Sequence, residues 1–64
     1  MSTQILKTII QVDNYLELEE VVNSLEEKLT LFSENHKDFS ATIEKDIDNL
    51  EITVKTISLK EHAN

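Results

Sequence analysis

The sequence has 64 residues, no cysteine, and 13 Asp plus Glu against six basic residues, all of them lysine, for a net charge of −7. A chain this short forms one domain, residues 1–64, which buries only about 60% of its unfolded surface, and without cysteine it has neither a disulfide staple nor a thiolate metal site. The missing arginine and the negative charge argue against direct nucleic-acid binding and against anionic membranes, no apolar run approaches the ~18 residues of a membrane span, and Met1-Ser2-Thr3-Gln4 lacks the basic and apolar regions of a secretory signal.

Thr3 to Val12 is dense in β-branched residues, which favour strands. Alternation puts Leu6, Thr8, Ile10 and Val12 on one face, assigned here to the core. Ile5, Lys7, Ile9 and Gln11 then face outward. A helix start is the alternative, because Ile5, Ile9, Val12 and Leu16 are spaced 4, 3 and 4.

Asp13-Asn14 breaks this segment. Asn14 followed three residues later by Glu17 is a capping-box arrangement, and Glu17, Glu19 and Glu20 lie where a helix dipole favours negative charge. Leu18, Val21, Val22, Leu25, Leu29 and Phe32 recur at helical spacing. A helix from about Tyr15 to Ser33 follows. Its back carries Glu20, Asn23, Glu26, Glu27 and Thr30, and Leu31 lies off the apolar stripe. Ser33 to Asp38 is polar and reads as a loop.

Phe39 to Ile57 organises the chain. Read as a hairpin with a four-residue loop at Asp46-Ile47-Asp48-Asn49, it pairs Lys45 with Leu50, Ile43 with Ile52, Ala41 with Val54 and Phe39 with Thr56. Phe39, Ala41, Ile43, Leu50, Ile52 and Val54 then share one face. Ser40, Thr42, Glu44, Glu51, Thr53 and Lys55 share the other. Ile47 in the loop and Glu44 opposite Glu51 are the misfits. Ile57 and Leu59 interrupt the alternation, which predicts a bulge near Thr56. The remainder, Ser58 to Asn64, is a strand end followed by a polar tail.

The competing reading is all-α. Ile43, Ile47, Leu50, Val54 and Ile57 fit a coiled-coil seam, and the absence of glycine and proline favours long elements with few tight turns. That alternative is a helical hairpin, with helices from about Thr3 to Ser33 and Asp38 to Glu61. The β-branched content of the last third favours the sheet. The expected fold is therefore α+β, one amphipathic helix on a three-stranded sheet in the order β-α-β-β.

Candidate chemistry is sparse. Asp46-x-Asp48-Asn49-x-Glu51 resembles the start of a calcium loop, but Glu51 and Ile57 occupy the positions that need glycine and a bidentate glutamate. Turn chemistry explains these acids, and no metal or cofactor is expected. His36 and His62 have no second ligand or nucleophile at a useful spacing. The adjacent glutamates read as exposed, whereas acid–base catalysis needs burial to shift a pKa. No enzymatic activity is expected.

The acidic back of the helix is the one candidate functional surface: Glu19, Glu20, Glu26 and Glu27, with Glu17 and Glu34 at either end and Lys28 as the only base between them. Such a strip suits a Lys/Arg-lined groove on a protein partner, and also suits a merely solvated helix face. A second candidate surface is the apolar patch Ile5, Ile9, Ile57 and Leu59. A single helix covers only one face of a sheet, so this patch predicts a homodimer.

The run of strand, acidic helix and hairpin, ending in TISLKEHAN, resembles small acidic accessory and inhibitor proteins of bacteriophages and mobile elements. That resemblance implies a stoichiometric inhibitor or modulator of a host protein, and the acidic strip adds the expectation that its target has a basic, nucleic-acid-binding surface. It carries over no functional residue. The alternative function is a homo-oligomeric structural or scaffold subunit. A cytoplasmic location is expected in either case.

Overall fold

A computed structural model describes residues 2–60 and shows an α+β protein, with strands β1 (Ser2–Gln11), β2 (Phe39–Asp46) and β3 (Glu51–Lys60) and one helix, α1 (Tyr15–Asn35). The all-α alternative is excluded. The sheet order is β1-β3-β2, and β3 runs antiparallel to both neighbours. β1 and β2 are therefore parallel to each other, with α1 crossing between them and β3 inserted in the middle.

Each boundary has a local cause. Asn14 is the N-cap of α1, its Oδ1 accepting from the Glu17 N–H at 2.8 Å. Glu17 reaches back to accept from the Asp13 N–H, also at 2.8 Å. The forward half of the capping box is thus formed, while the return carboxylate of Glu17 accepts one residue earlier, from Asp13 in place of the Asn14 N–H. The helix runs two residues past Ser33. At its end His36 Nδ1 lies 2.9 Å from the Phe32 carbonyl, and the Asn35 side-chain amide donates to the Leu31 carbonyl. The imidazole of His36 stacks on Phe32 with ring centroids 3.9 Å apart, and Phe32 meets Phe39 edge-on at 4.7 Å. That aromatic cluster joins the helix end to the start of β2.

The hairpin forms with its faces as expected and its pairing shifted by two residues. Ile43 lies opposite Val54, Lys45 opposite Ile52 and Phe39 opposite Ser58. The loop is Ile47 to Leu50. A shift of two preserves side-chain parity, so every residue keeps its face. The shift is fixed by turn chemistry. The Asp46 carboxylate accepts from the Asn49 backbone N–H at 3.1 Å and from its side-chain amide at 2.9 Å, and Leu50 takes the left-handed conformation with φ 53. Glu44 consequently faces Thr53, and the acidic cross-strand pair is Asp46 with Glu51. The bulge expected near Thr56 is absent: β3 pairs without interruption from Glu51 to Lys60 with β1. Ile57 and Leu59 reach the outer face by simple alternation. The tail, including His62, lies outside the described residues.

The core is small. Leu18 and Val22 of α1 and Ile52 of β3 are its buried side chains, with Ile10, Val12, Val21, Leu25, Ile43, Leu50 and Val54 packed around them. α1 lies over β2 and β3 and makes no close backbone approach to β1. The helix-facing side of β1 is covered only at its C-terminal end, where Ile10 and Val12 join the core. Leu6, assigned to the core by alternation, does lie on that side, opposite Thr56, yet it is 57% exposed. The molecule is two layers thick over β2 and β3 and one layer thick at β1.

Candidate partner-binding surface

At about 100° per residue, the core stripe of α1 centres on Leu18, Val22, Leu25 and Leu29. The four glutamates singled out from sequence divide into two rows around that axis. Glu20 and Glu27, with Glu34, repeat every seven residues along the line pointing directly away from the sheet, about 10 Å apart. All three are exposed. Glu19 and Glu26 lie on the flank beside β2. Glu19 accepts from Lys45 Nζ at 3.0 Å, and Glu26 borders the groove between α1 and β2 that Leu29, Phe39 and Ala41 also line. The structure therefore separates two free glutamates on the crest from a flank pair in which one carboxylate is already engaged.

The hydrogen bond from Lys45 holds the Glu19 carboxyl below the ordinary carboxylate range, and the same bond raises Lys45 above the ordinary lysine value. Asp46 is lowered by its bonds from the Asn49 side chain and backbone. Groups lowered in the folded state contribute stability above their ordinary pKa and lose it as the pH falls through the folded value. For Glu19 that loss begins near its ordinary value of 4.5. The raised Lys45 loses its contribution only above its ordinary 10.5. The difference in melting temperature between the wild type and Lys45→Met is thus expected to be constant near neutral pH and to close as the pH falls below 4.5. A pH-independent difference measured by thermal circular dichroism would show that the ion pair contributes nothing.

Two residues on the crest were not singled out as contacts. Leu16 is 75% exposed and Leu31 57% exposed. Both fall on the outward half of α1, interleaved with Glu20, Glu27 and Glu34. Their signal in the sequence is positional: both are large aliphatics off the Leu18–Leu25–Leu29 stripe. The crest is therefore acidic with an apolar residue toward each end.

The second candidate surface also takes shape. Ile5 lies directly opposite Ile57, and Thr3 opposite Leu59, on the outer face of the sheet, with Ile9 opposite Thr53. The patch Ile5, Ile9, Ile57 and Leu59 is thus on one face. It is interrupted by Lys7 opposite Lys55. Among the described residues, no group of three or more His, Cys, Asp or Glu side chains is placed to hold a metal ion, and no helix is long and apolar enough to cross a membrane. Compared with protein families, curated proteins and solved structures, the chain gives no match.

Proposed function

We propose that the protein is a small acidic protein-binding modulator that presents the crest of α1 to a partner with a basic surface. The observation that carries this reading is the exposed row Glu20, Glu27 and Glu34, flanked by Leu16 and Leu31. Carboxylates on a rigid helix steer a Lys/Arg-lined surface into register, and an exposed apolar residue toward each end supplies the contact area that charges alone do not. α1 holds six of the 13 acidic residues and a single lysine. The resemblance to accessory and inhibitor proteins of bacteriophages supports a host protein as the target, and the carboxylate row supports a nucleic-acid-binding surface on it, with the glutamates occupying phosphate positions.

Reversing both Glu20 and Glu27 to Lys is expected to abolish capture of a basic partner while leaving the circular dichroism spectrum unchanged, since neither residue touches the core. Capture by the wild type should also weaken with salt. A partner retained equally by wild type and double mutant overturns the crest as the binding surface.

Self-association is a second part of the same reading. It is supported by the apolar exposure of β1, where Ile5, Leu6 and Ile9 are each 57% exposed. In the scaffold alternative this surface, rather than the acidic crest, carries the function.

A further inference from the structure

We infer that the free edge of β1 pairs antiparallel with β1 of a second copy, giving a six-stranded sheet with its two-fold axis at Leu6. The inference rests on the self-association reading above and specifies how that association is made.

The backbone identifies the edge. The Val12 N–H donates to the Leu50 carbonyl, and the Leu59 N–H to the Asp38 carbonyl, each at 3.0 Å. In antiparallel pairs, residues bonded to a given neighbour alternate along the strand. Even-numbered residues of β1 therefore bond to β3, while Thr3, Ile5, Lys7, Ile9 and Gln11 direct their N–H and C=O groups away from the sheet. β1 is ten residues long, pairs without a bulge and contains no proline. Among the described residues it lacks the features that usually protect a sheet edge, apart from the single charge of Lys7. The other edge, β2, is covered by α1 on one face and carries Glu44, Lys45 and Asp46.

Two arguments select a second copy as the occupant. The first is charge. β1 contains no acidic residue in a chain with 13 of them, so two molecules of −7 meet there with least repulsion. The second is self-complementarity. Antiparallel pairing of identical strands places a two-fold axis perpendicular to the sheet, with equivalent residues opposite each other at the axis. Centring it on Lys7 would oppose two lysines. Centring it on Leu6 pairs Thr3 with Ile9 and Ile5 with Lys7 of the second copy, forms about eight main-chain hydrogen bonds and buries Leu6 against its equivalent. Stacking of the outer sheet faces is opposed by Lys7 and Lys55, which would be buried together at the centre of the patch. Edge pairing leaves both in water.

The paired sheet would carry both helices on one face, so the acidic crest would be displayed twice.

Lys7→Pro tests the edge. Its N–H points outward, so proline removes no β1–β3 bond but blocks pairing at the edge. Sedimentation equilibrium is expected to show a wild-type dimer, with the dissociation constant of Lys7→Pro raised on the order of 100-fold or more. Leu6→Cys provides an independent test that does not depend on proline being tolerated. The chain has no cysteine of its own. At the axis two Cα atoms in a non-hydrogen-bonded pair lie about 4.5 Å apart, within disulfide reach. Leu6→Cys is expected to form a covalent dimer on mild oxidation, whereas Lys55→Cys, central on the outer face, is not. Cross-linking of Lys55→Cys in place of Leu6→Cys, or a Lys7→Pro dimer of wild-type affinity, overturns edge pairing and leaves self-association standing. A wild type that remains monomeric at high micromolar concentration overturns both, and a foreign protein lost by Lys7→Pro but kept by Glu20→Lys/Glu27→Lys would then assign the edge to a strand of that protein.

Discussion

Leu18→Ala is expected to destabilise the protein more than truncation of any exposed apolar residue does, with a clear fall in the urea midpoint. Only Leu18, Val22 and Ile52 are buried side chains among the described residues, and Leu18 and Ile52 are fully inaccessible. Truncating a buried leucine costs about 2–5 kcal/mol, from lost transfer free energy and from the cavity left behind. A 64-residue domain has a total stability of roughly 3–10 kcal/mol at ordinary values per residue. One buried side chain thus carries about a fifth of the whole at the least, and most of it at the low end of that range. The surroundings have little capacity to compensate, because apart from Val22 and Ile52 the side chains packed on this core are only partly buried. Urea denaturation followed by circular dichroism would measure the loss. A Leu18→Ala variant with an unchanged midpoint would mean that stability resides elsewhere, at the proposed β1 interface in particular. For the proposed dimer, stability of the wild type is expected to rise with protein concentration, because its interface would contribute by mass action.

The smallness of this core explains which parts of the structure were legible in the sequence. Period-2 alternation put Ile5 to Gln11, Phe39 to Glu44 and Glu51 to Lys55 on their correct faces but expected a bulge near Thr56 that the sheet does not have, and helical spacing with the Asn14–Glu17 pair placed the start of α1. The exact pairing of the hairpin was not legible, because two registers two residues apart give the same faces. What separates them is a leucine with positive φ, a conformation that side-chain type does not announce. The absence of glycine, which favoured helices, is met instead by Asp, Asn and Leu50 in the turns. Nor was the position of α1 across the sheet legible. Leu6 and Ile10 have the same character and lie on the same face, yet one is exposed and the other packs on the core. Only the crossing of α1 over β2 and β3 distinguishes them. At the candidate surface, alternation and helical rotation grouped the glutamates, while the capture of Glu19 by Lys45, 26 residues away, is a consequence of tertiary packing. Glu19 is held in the fold by Lys45, whereas Glu20 and Glu27 face solvent one turn from the exposed Leu16 and Leu31.

Leu50 offers a prediction in which glycine and alanine exchange their usual order. The residue sits at φ 53, a conformation that costs a non-glycine residue about 1–2 kcal/mol. It is retained because the position serves two other ends. The Leu50 carbonyl accepts the Val12 N–H, tying the end of β1 to the hairpin, and its side chain packs against the Leu18–Val22–Ile52 core. Leu50→Ala removes the packing and keeps the conformational cost, and is expected to destabilise the protein by about 2 kcal/mol. Leu50→Gly removes the same packing but relieves the left-handed conformation, and is expected to be more stable than Leu50→Ala by about 1 kcal/mol. At an ordinary strand position glycine is the worse of the two by about the same amount, so Thr42→Ala and Thr42→Gly on β2 provide the control pair. The comparison isolates the backbone from the side chain, because neither variant at position 50 reaches the core. Equal midpoints for Leu50→Ala and Leu50→Gly in urea would show that the turn relaxes away from the left-handed conformation once the side chain is gone. Packing of Leu50 on the core, rather than the Asp46–Asn49 hydrogen bonds, would then be what sets the register of the hairpin.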